Sequence, residues 1–192
     1  MKTLSGNELF KLFSRKKKQE QIEAAAEKPK EPVVKIRELQ KSDRKKVLDL
    51  MNEFSDVFPP QYVNGGGFGG MSPFLNFARS GNIKDIGSFV IEVDGSVAGH
   101  IVYCKDVKQF EGGIYKLKAV VVGGSFHKKG YGDKLVRYAL KKLEEMKTRC
   151  IYLTVQKSSL LYFTRFGFDI TGMHEYFING SKTKKYVLSK SL

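Results

Sequence analysis

The segment 127–132 constrains the fold of this chain more than any other part of its sequence. It reads His-Lys-Lys-Gly-Tyr-Gly and lies between an apolar run at 119–122 and an amphipathic stretch that begins at Asp133. An apolar run, a glycine turn and an amphipathic stretch in this order predict a strand, a loop and a helix. The alternative is that Gly-Tyr-Gly forms only a tight turn with solvated lysines around it.

The predicted start of this helix is suited to binding an anion. The first backbone N–H groups of a helix have no intrahelical acceptor, and the helix dipole places partial positive charge there. Gly130 and Gly132 carry no side chain that would keep a ligand away from the backbone. Lys128, Lys129 and Lys134 add positive charge around the turn. Phosphate is the ligand that this combination favours.

The helix prediction covers residues 131–147 and rests on residues that share one face at helical spacing. These residues are Leu135, Val136, Ala139, Leu140, Leu143 and Met146.

Length and charge set the broad class of the protein. A chain of 192 residues with 41% hydrophobic content supports one domain with a core and a tail. Residues 1–32 are interpreted as a basic, flexible extension and residues 33–192 as the folded domain. The formal net charge of +14 suits a polyphosphate cofactor, a nucleic acid, a ribosome or an acidic membrane face equally.

The cysteines and the hydropathy pattern indicate the compartment. Cys104 and Cys150 show no spacing typical of a disulfide framework or a zinc site. No run approaches the roughly 18 apolar residues of a membrane span, and no secretory leader is apparent. We therefore expect a cytoplasmic protein without a metal site or a membrane span.

The remaining patterns predict an α/β protein with a mixed sheet. Asp94-Gly95 joins two alternating runs and favours a two-residue type I′ hairpin. The glycine-rich stretch 64–70 is either a lid or an ordinary linker. The predicted order begins with a strand at 33–39, a helix capped by Ser42 or Asp43, the glycine loop and a helix from Ser72. Strands at 88–93, 96–104 and 114–122 follow, and then the helix at 131–147. The order ends with a strand at 150–155, a short helix at 158–166 and a closing hairpin that turns at Asn179-Gly180 before a strand at 185–188.

This order of elements, together with two motifs, resembles the GNAT superfamily of N-acetyltransferases, which transfer acetyl from acetyl-CoA to an amine. The family signature is Arg or Gln, two variable residues, Gly, one variable residue, then Gly or Ala; residues 127–132 depart from it only at His127. The second motif commonly reads Asn, two residues, Ala, three residues, Tyr, three residues, Gly-Phe. This chain has Gln156, Ser159, Phe163 and Gly167-Phe168 at those places. The resemblance covers roughly residues 33–190 and implies a central mixed sheet flanked by helices.

The resemblance also implies how acetyl-CoA is bound. Backbone groups of the fourth strand would pair with the pantetheine arm like an added strand, and the amides of 128–133 would hold the pyrophosphate. His127 would replace the usual Arg or Gln with a single donor, or else be a surface residue. Ser159 would touch the cofactor or only cap the short helix. The implied cofactor contacts are Val120, Val121, Val122, His127, Lys128, Lys129, Gly130, Tyr131, Gly132, Asp133, Gln156, Ser159 and Phe163.

The catalytic groups of the family are displaced in this sequence. The acid that commonly serves as base on the fourth strand is missing, and Lys116 and Lys118 occupy the alternating positions. A lysine takes that role only if its pKa falls sharply. Glu111 is the base that we name first. The other candidates are Glu92, His174 and Asp49. None of these four residues stands at a sequence spacing that marks it as the base.

The proton donor is displaced as well. Phe163 occupies the place of the family's tyrosine, and Tyr162 precedes it. Adjacent helix residues point about 100° apart, so Tyr162 replaces the acid only if the helix is rotated or shifted in register. Otherwise Tyr162 is a packed core aromatic.

Three functions remain open from the sequence. The first is an acetyl-CoA-dependent N-acetyltransferase acting on a primary amine of a small molecule or protein, with a homodimer as one arrangement. The second is a non-catalytic acyl-CoA-binding regulatory module. The third is a basic protein that associates with a ribosome or nucleic acid.

Overall fold

In the part of the chain that the structure describes, seven strands form one mixed sheet. The computed structural model describes residues 31–54, 86–106, 113–178 and 181–192. The strands are β1 (Val34–Glu38), β2 (Ile86–Val93), β3 (Ser96–Lys105), β4 (Ile114–Val122), β5 (Cys150–Val155), β6 (Asp169–Ile178) and β7 (Ser181–Ser191). Their spatial order is β1-β2-β3-β4-β5-β7-β6, and β4 and β5 are parallel while the other neighbours are antiparallel. The predicted α/β class with a mixed sheet is confirmed.

Several predictions from the sequence lie outside the described residues. They are the glycine loop at 64–70, the helix from Ser72, the turn at Asn179-Gly180, Glu111 and nearly all of the extension 1–32. The chain divides into two units between Pro32 and Val33, and the described strands and helices belong to the second unit. The flexible character of residues 1–32 stays a prediction.

Among the described residues, three α-helices flank the sheet: α1 (Arg44–Asn52), α2 (Tyr131–Glu145) and α3 (Leu160–Thr164). Val47 and Met51 of α1 pack in one buried cluster with Val102 of β3, whereas Leu135 and Leu143 of α2 belong to another. The two clusters occupy opposite faces of the sheet, because successive side chains of a strand point to opposite faces. The predicted apolar face of α2 is buried apart from Met146, which follows the last helical residue and is 44% exposed.

The hairpin between β2 and β3 has the predicted turn. Asp94 and Gly95 have φ angles of 50° and 77°, and a type I′ turn requires positive φ at both positions. The predicted bounds of β4 and β5 agree with the structure, while the closing strand is longer than predicted.

The predicted cap of α1 is wrong. Asp43 stands at the N-cap position but makes no capping hydrogen bond from its side chain. Its carboxylate instead accepts two hydrogen bonds from Arg37, at 2.6 and 2.9 Å, and one from the Gln40 N–H at 2.8 Å. Arg37 also donates to Glu92 at 2.6 Å. A charged partner within reach outcompetes the local cap because charge-assisted bonds are the stronger ones.

A β-bulge in β4 reverses the face of the sheet to which its alternate, buried side chains point. Val102 of β3 is opposite Ala119 and Tyr103 is opposite Leu117, so Lys118 is the extra residue. Leu117 therefore packs in the cluster of α2, and Ala119 packs in the cluster of α1.

His100 on β3 is buried and neutral. Its Nε2 lies 3.0 Å from Ser88 Oγ, and among the described residues its Nδ1 has no hydrogen-bond partner. Burial lowers the pKa of His100 to about 3. The unfolded chain therefore takes up a proton below pH 6.5, whereas the folded chain stays neutral at this residue until about pH 3.

His100→Gln tests this linkage. Because the unfolded state binds the extra proton, the folded protein loses about 2 kcal/mol of stability through His100 between pH 7.5 and pH 5. We expect His100→Gln to lose less stability than the wild type over this interval in urea unfolding. His174→Gln, at an exposed histidine, should behave as the wild type. An equal loss in His100→Gln and wild type would contradict a neutral, buried His100.

Candidate functional site

The open edge of β4 is the first part of the candidate site. β4 pairs with β5 at three positions, from Ile114–Cys150 to Lys116–Tyr152, and then continues to Val122. The Gly123 N–H donates to Ala98 O of β3 at 2.9 Å. Because backbone groups alternate along a strand, those of Val121 point to β3 and those of Val120 and Val122 point away from it. Val120 thus presents both its N–H and its C=O to the gap between β4 and β5, and Val122 presents its N–H, because the Val122 O is already bonded to His127 Nε2 at 2.7 Å.

The start of α2 is the second part. Lys134 N–H donates to Gly130 O at 3.1 Å, so the earlier N–H groups of Tyr131, Gly132 and Asp133 have no intrahelical acceptor. Gly130 has a φ of 76°, and no heavy atom lies within 4 Å of the position that its Cβ would take. Glycine is required there by backbone conformation and not by space. Three donors of one helix end are thereby exposed to a ligand just beyond β4.

Gly132 is required for the opposite reason, a close contact. A Cβ at this residue would lie 2.8 Å from Tyr162 Oη. The Tyr162 hydroxyl is buried and has no hydrogen-bond partner among the described residues. Burial, followed by the nearby Asp133 carboxylate, raises the pKa of Tyr162. The phenol therefore stays protonated at neutral pH and lies against the first turn of α2.

Phe163 faces the core instead. It is 7% exposed, and its ring centroid lies 6.0 Å from that of Phe168. Tyr162 packs edge-on against Phe166 at 5.3 Å, with the Arg165 guanidinium 5.2 Å above its ring. Of the two neighbouring aromatic residues, Tyr162 is the one that reaches the helix start.

His127 is turned towards the end of β4. Its Nε2 lies 2.7 Å from Val122 O, and its ring stacks on Phe54 with centroids 5.4 Å apart. Since a carbonyl only accepts, Nε2 carries a proton and donates it to Val122 O.

The end of α1 holds the same loop through a contact that the sequence analysis missed. Glu53 Oε2 accepts the Gly124 N–H at 2.9 Å, across 71 positions of sequence. No local spacing signals such a bond, because the two residues meet only through the fold.

The lysines of the loop differ in their surroundings. Lys128 is exposed and has a φ of 59°, in the left-handed region. Lys129 Nζ donates to Ser125 O at 3.1 Å. Lys134 is exposed on the first turn of α2. Asp133 and Arg165 form an ion pair at 3.3 Å, which leaves the loop region with net positive charge from the lysines.

The second motif forms a single 3₁₀ turn, Lys157–Ser159, before α3. The Ser159 N–H donates to Gln156 O at 3.0 Å. The Ser159 side chain makes no capping hydrogen bond to α3. The expectation that Ser159 caps this helix is therefore wrong.

The candidate bases within the described residues are either paired with another side chain or exposed. Glu92 accepts from Arg37, whose guanidinium holds the pKa of this carboxyl below its usual range. Asp49 is exposed on α1, and His174 is exposed on β6. Lys116 and Lys118 are half-buried where β4 leaves β5.

Within the described ranges, no three His, Cys, Asp or Glu side chains come together as metal ligands. None of the helices described has both the length and the apolar character needed to cross a membrane.

Comparison with known proteins assigns this geometry to a family. The profile of the acetyltransferase (GNAT) family matches residues 49–168, more than half of the chain. The protein belongs to the GNAT acetyltransferase family. No curated protein sequence matches the chain significantly.

Solved structures show the same fold at low sequence identity. A GNAT acetyltransferase from Streptococcus pneumoniae is 22% identical with a TM-score of 0.66, covering 83% of this chain and 100% of its own. The ribosomal-protein-alanine N-acetyltransferase of Brucella melitensis is 18% identical with a TM-score of 0.67, covering 82% and 99%. The Salmonella typhimurium protein yncA, whose structure includes its cofactor acetyl-CoA, is 16% identical with a TM-score of 0.67, covering 82% and 93%.

Gly132→Ala tests the contact with Tyr162. The added methyl group meets Tyr162 Oη at 2.8 Å, while the next nearest atoms lie at 3.7 Å, an ordinary contact distance. We expect Gly132→Ala to lower the free energy of unfolding by about 1–3 kcal/mol. In a Tyr162→Phe background, which lacks the Oη atom, most of this loss should disappear.

Gly130→Ala is the matched control, because it meets no atom within 4 Å but has a φ of 76°. It should cost about 1–2 kcal/mol in both backgrounds, since the strain lies in its own backbone. Denaturant unfolding of the four alanine variants measures these values. Equal losses from Gly132→Ala with and without the Tyr162 hydroxyl would show that the contact is absent.

Proposed function

We propose that the protein is an N-acetyltransferase that moves the acetyl group of acetyl-CoA to a primary amine of a small molecule or protein. The observation that carries this proposal is the continuity between the open edge of β4 and the start of α2. Val120 and Val122 offer backbone groups to the gap, and the N–H groups of residues 131–133 follow directly. An extended arm that ends in a pyrophosphate matches both features.

The residues present fit acetyl-CoA as cosubstrate. The pantetheine arm pairs with Val120 and Val122, while Val121 contributes its buried side chain to the core. The pyrophosphate takes the N–H groups of Tyr131, Gly132 and Asp133, and Lys128 and Lys134 add charge. His127 binds the end of β4 through Nε2 and helps to shape the gap, and it remains a proposed neighbour of the cofactor.

With the pyrophosphate at the start of α2, the acetyl end of acetyl-CoA would lie along β4 in the direction of Lys118. From Val122 to Lys118 the strand covers about 13 Å at 3.3 Å per residue. The acetyl thioester would therefore reach the part of the gap near the bulge. Transfer forms a C–N bond to the amine and breaks the C–S bond, so the departing thiolate needs a proton.

Tyr162 is carried forward from the sequence as the proposed donor of that proton. Its hydroxyl is buried and protonated, but it lies against the first turn of α2, at the opposite end of the gap from the bulge, so this assignment requires Tyr162 to move when the cofactor binds. Glu111 remains the proposed base, although it lies outside the described residues. Gln156, Ser159 and Phe163 remain proposed neighbours of the cofactor, with Phe163 acting from within the core. The cytoplasmic location and the homodimer are carried forward from the sequence as proposals.

A non-catalytic acyl-CoA-binding module is the second candidate. Phe163 in the family's tyrosine position and lysines in place of the acid on β4 favour it. It shares the cofactor site of the enzyme and differs only in turnover.

Titration with acetyl-CoA and an acceptor assay separate the two functions. We expect acetyl-CoA binding by calorimetry, and amine-dependent release of free CoA thiol. Tyr162→Phe should lower kcat by about 10²-fold with the acetyl-CoA Kd unchanged within about twofold, because only the donated proton is lost.

The control is Tyr138→Phe, at a tyrosine that packs edge-on against Phe89 of the core, and it should keep full kcat. Binding without thiol release for any amine would establish the regulatory module. Absence of acetyl-CoA binding would remove both candidates.

A further inference from the structure

An acidic side chain stands at the proposed pyrophosphate site. Asp133 is the third residue of α2, and its backbone N–H is one of the three donors that no helical carbonyl accepts. A carboxylate in the first turn of a helix interacts favourably with the helix dipole. It carries the same sign of charge as a pyrophosphate, so the two anions compete for one helix end. Binding of a phosphate group there requires that the charge of Asp133 be offset.

Arg165, the residue that follows α3, supplies the offsetting cation. Its Nη2 donates to Asp133 Oδ1 at 3.3 Å, across 32 positions of sequence. The Arg165 Cζ lies 5.2 Å from the centroid of the Tyr162 ring and 5.9 Å from that of the Phe166 ring, distances typical of cation–π contacts. Two aromatic rings and one carboxylate thus fix the place of this guanidinium.

The ion pair contributes little to the stability of the fold. The side chains of Arg165 and Asp133 are 59% and 37% exposed, and an exposed pair is weak because solvent screens it and both side chains lose freedom. Within the described ranges, Lys129 of the loop donates to Ser125 O and does not pair with this carboxylate. We therefore expect the consequence of the pair in the binding of an anion rather than in folding.

We propose that Arg165 is a positioning residue for the acyl donor, which acts by neutralising Asp133 and holding its carboxylate towards the end of α3. The proposal rests on the proposed binding of acetyl-CoA at the start of α2. With Arg165 in place, the N–H groups of residues 131–133 are left to the pyrophosphate. Without it, the unpaired carboxylate repels the phosphates at the same helix end. The pair thus affects donors that carry a pyrophosphate, and an acyl-pantetheine, which lacks that group, is unaffected.

A double-mutant cycle measured by calorimetry tests this role without requiring turnover. The four forms are the wild type, Arg165→Gln, Asp133→Asn and the double variant, and urea unfolding checks that each is folded. Each form is titrated with acetyl-CoA, which carries the pyrophosphate. Each is also titrated at millimolar concentration with S-acetylpantetheine, the matched donor without phosphates.

We expect Arg165→Gln to raise the Kd of acetyl-CoA about tenfold, which corresponds to about 1.4 kcal/mol, because the unpaired carboxylate then repels the pyrophosphate. In the Asp133→Asn background the same substitution should raise the Kd by less than about threefold, since no carboxylate is left to neutralise. Arg165→Lys keeps the positive charge and should stay within about threefold of the wild type. The affinity for S-acetylpantetheine should be the same in all four forms of the cycle.

Arg137→Gln is the matched control. It removes an exposed arginine of α2 whose guanidinium lies over the same Phe166 ring, at 5.4 Å. The substitution takes one positive charge from the same neighbourhood and leaves the pair of Arg165 with Asp133 intact. The Kd of acetyl-CoA should therefore change by less than about threefold, because exposed charges are screened by solvent and salt.

A tenfold loss from Arg165→Gln in both Asp133 backgrounds would overturn the proposal, because Arg165 would then act on the phosphates directly. An unchanged Kd in Arg165→Gln, or an equal loss of affinity for S-acetylpantetheine, would overturn it as well. If Arg165→Gln does not fold, Asp133→Asn alone decides: it should bind acetyl-CoA at least as tightly as the wild type, and weaker binding contradicts the proposal. Failure of the proposed function has a different signature, because the wild type then binds no acetyl-CoA.

Discussion

The separation of β4 from β5 is the constraint on which the remaining site depends. Adjacent parallel strands normally satisfy each other's backbone groups, and here this pairing stops at Lys116–Tyr152. Val120 and Val122 then carry hydrogen-bonding groups that β3 does not use. A buried backbone group without a partner is costly, so an edge of this kind favours a ligand that completes it. The start of α2 adds donors in line with the edge.

Two glycines shape the site at the start of α2, and a β-bulge shapes it within β4. Gly130 supplies a left-handed backbone, and Gly132 supplies space for Tyr162. The bulge at Lys118 turns the outer half of β4, so that Ala119 packs towards α1 and Leu117 towards α2.

Much of the fold and part of the site were predictable from the sequence. The hairpin at Asp94-Gly95 and the strands β4 and β5 have local signals, namely alternation and a turn that needs positive φ. The cap at Asp43 was predicted wrongly, because capping propensity ignores competing partners such as Arg37. The Ser159 side chain also makes no capping hydrogen bond. Three features depend on contacts between distant segments: the bulge, the hydrogen bond that Gly124 N–H donates to Glu53, and the position of the Tyr162 hydroxyl beside Gly132. The periodicity of a sequence carries no information about such contacts.

A crystal structure of the protein with acetyl-CoA examines the site most directly. It should show the pyrophosphate within hydrogen-bond distance of the N–H groups of Tyr131, Gly132 and Asp133, and the pantetheine arm paired with Val120 and Val122. The His127 ring should remain on Phe54. A pyrophosphate bound elsewhere, or an arm that leaves the edge of β4 without a partner, would contradict the assignment of this gap as the cofactor site.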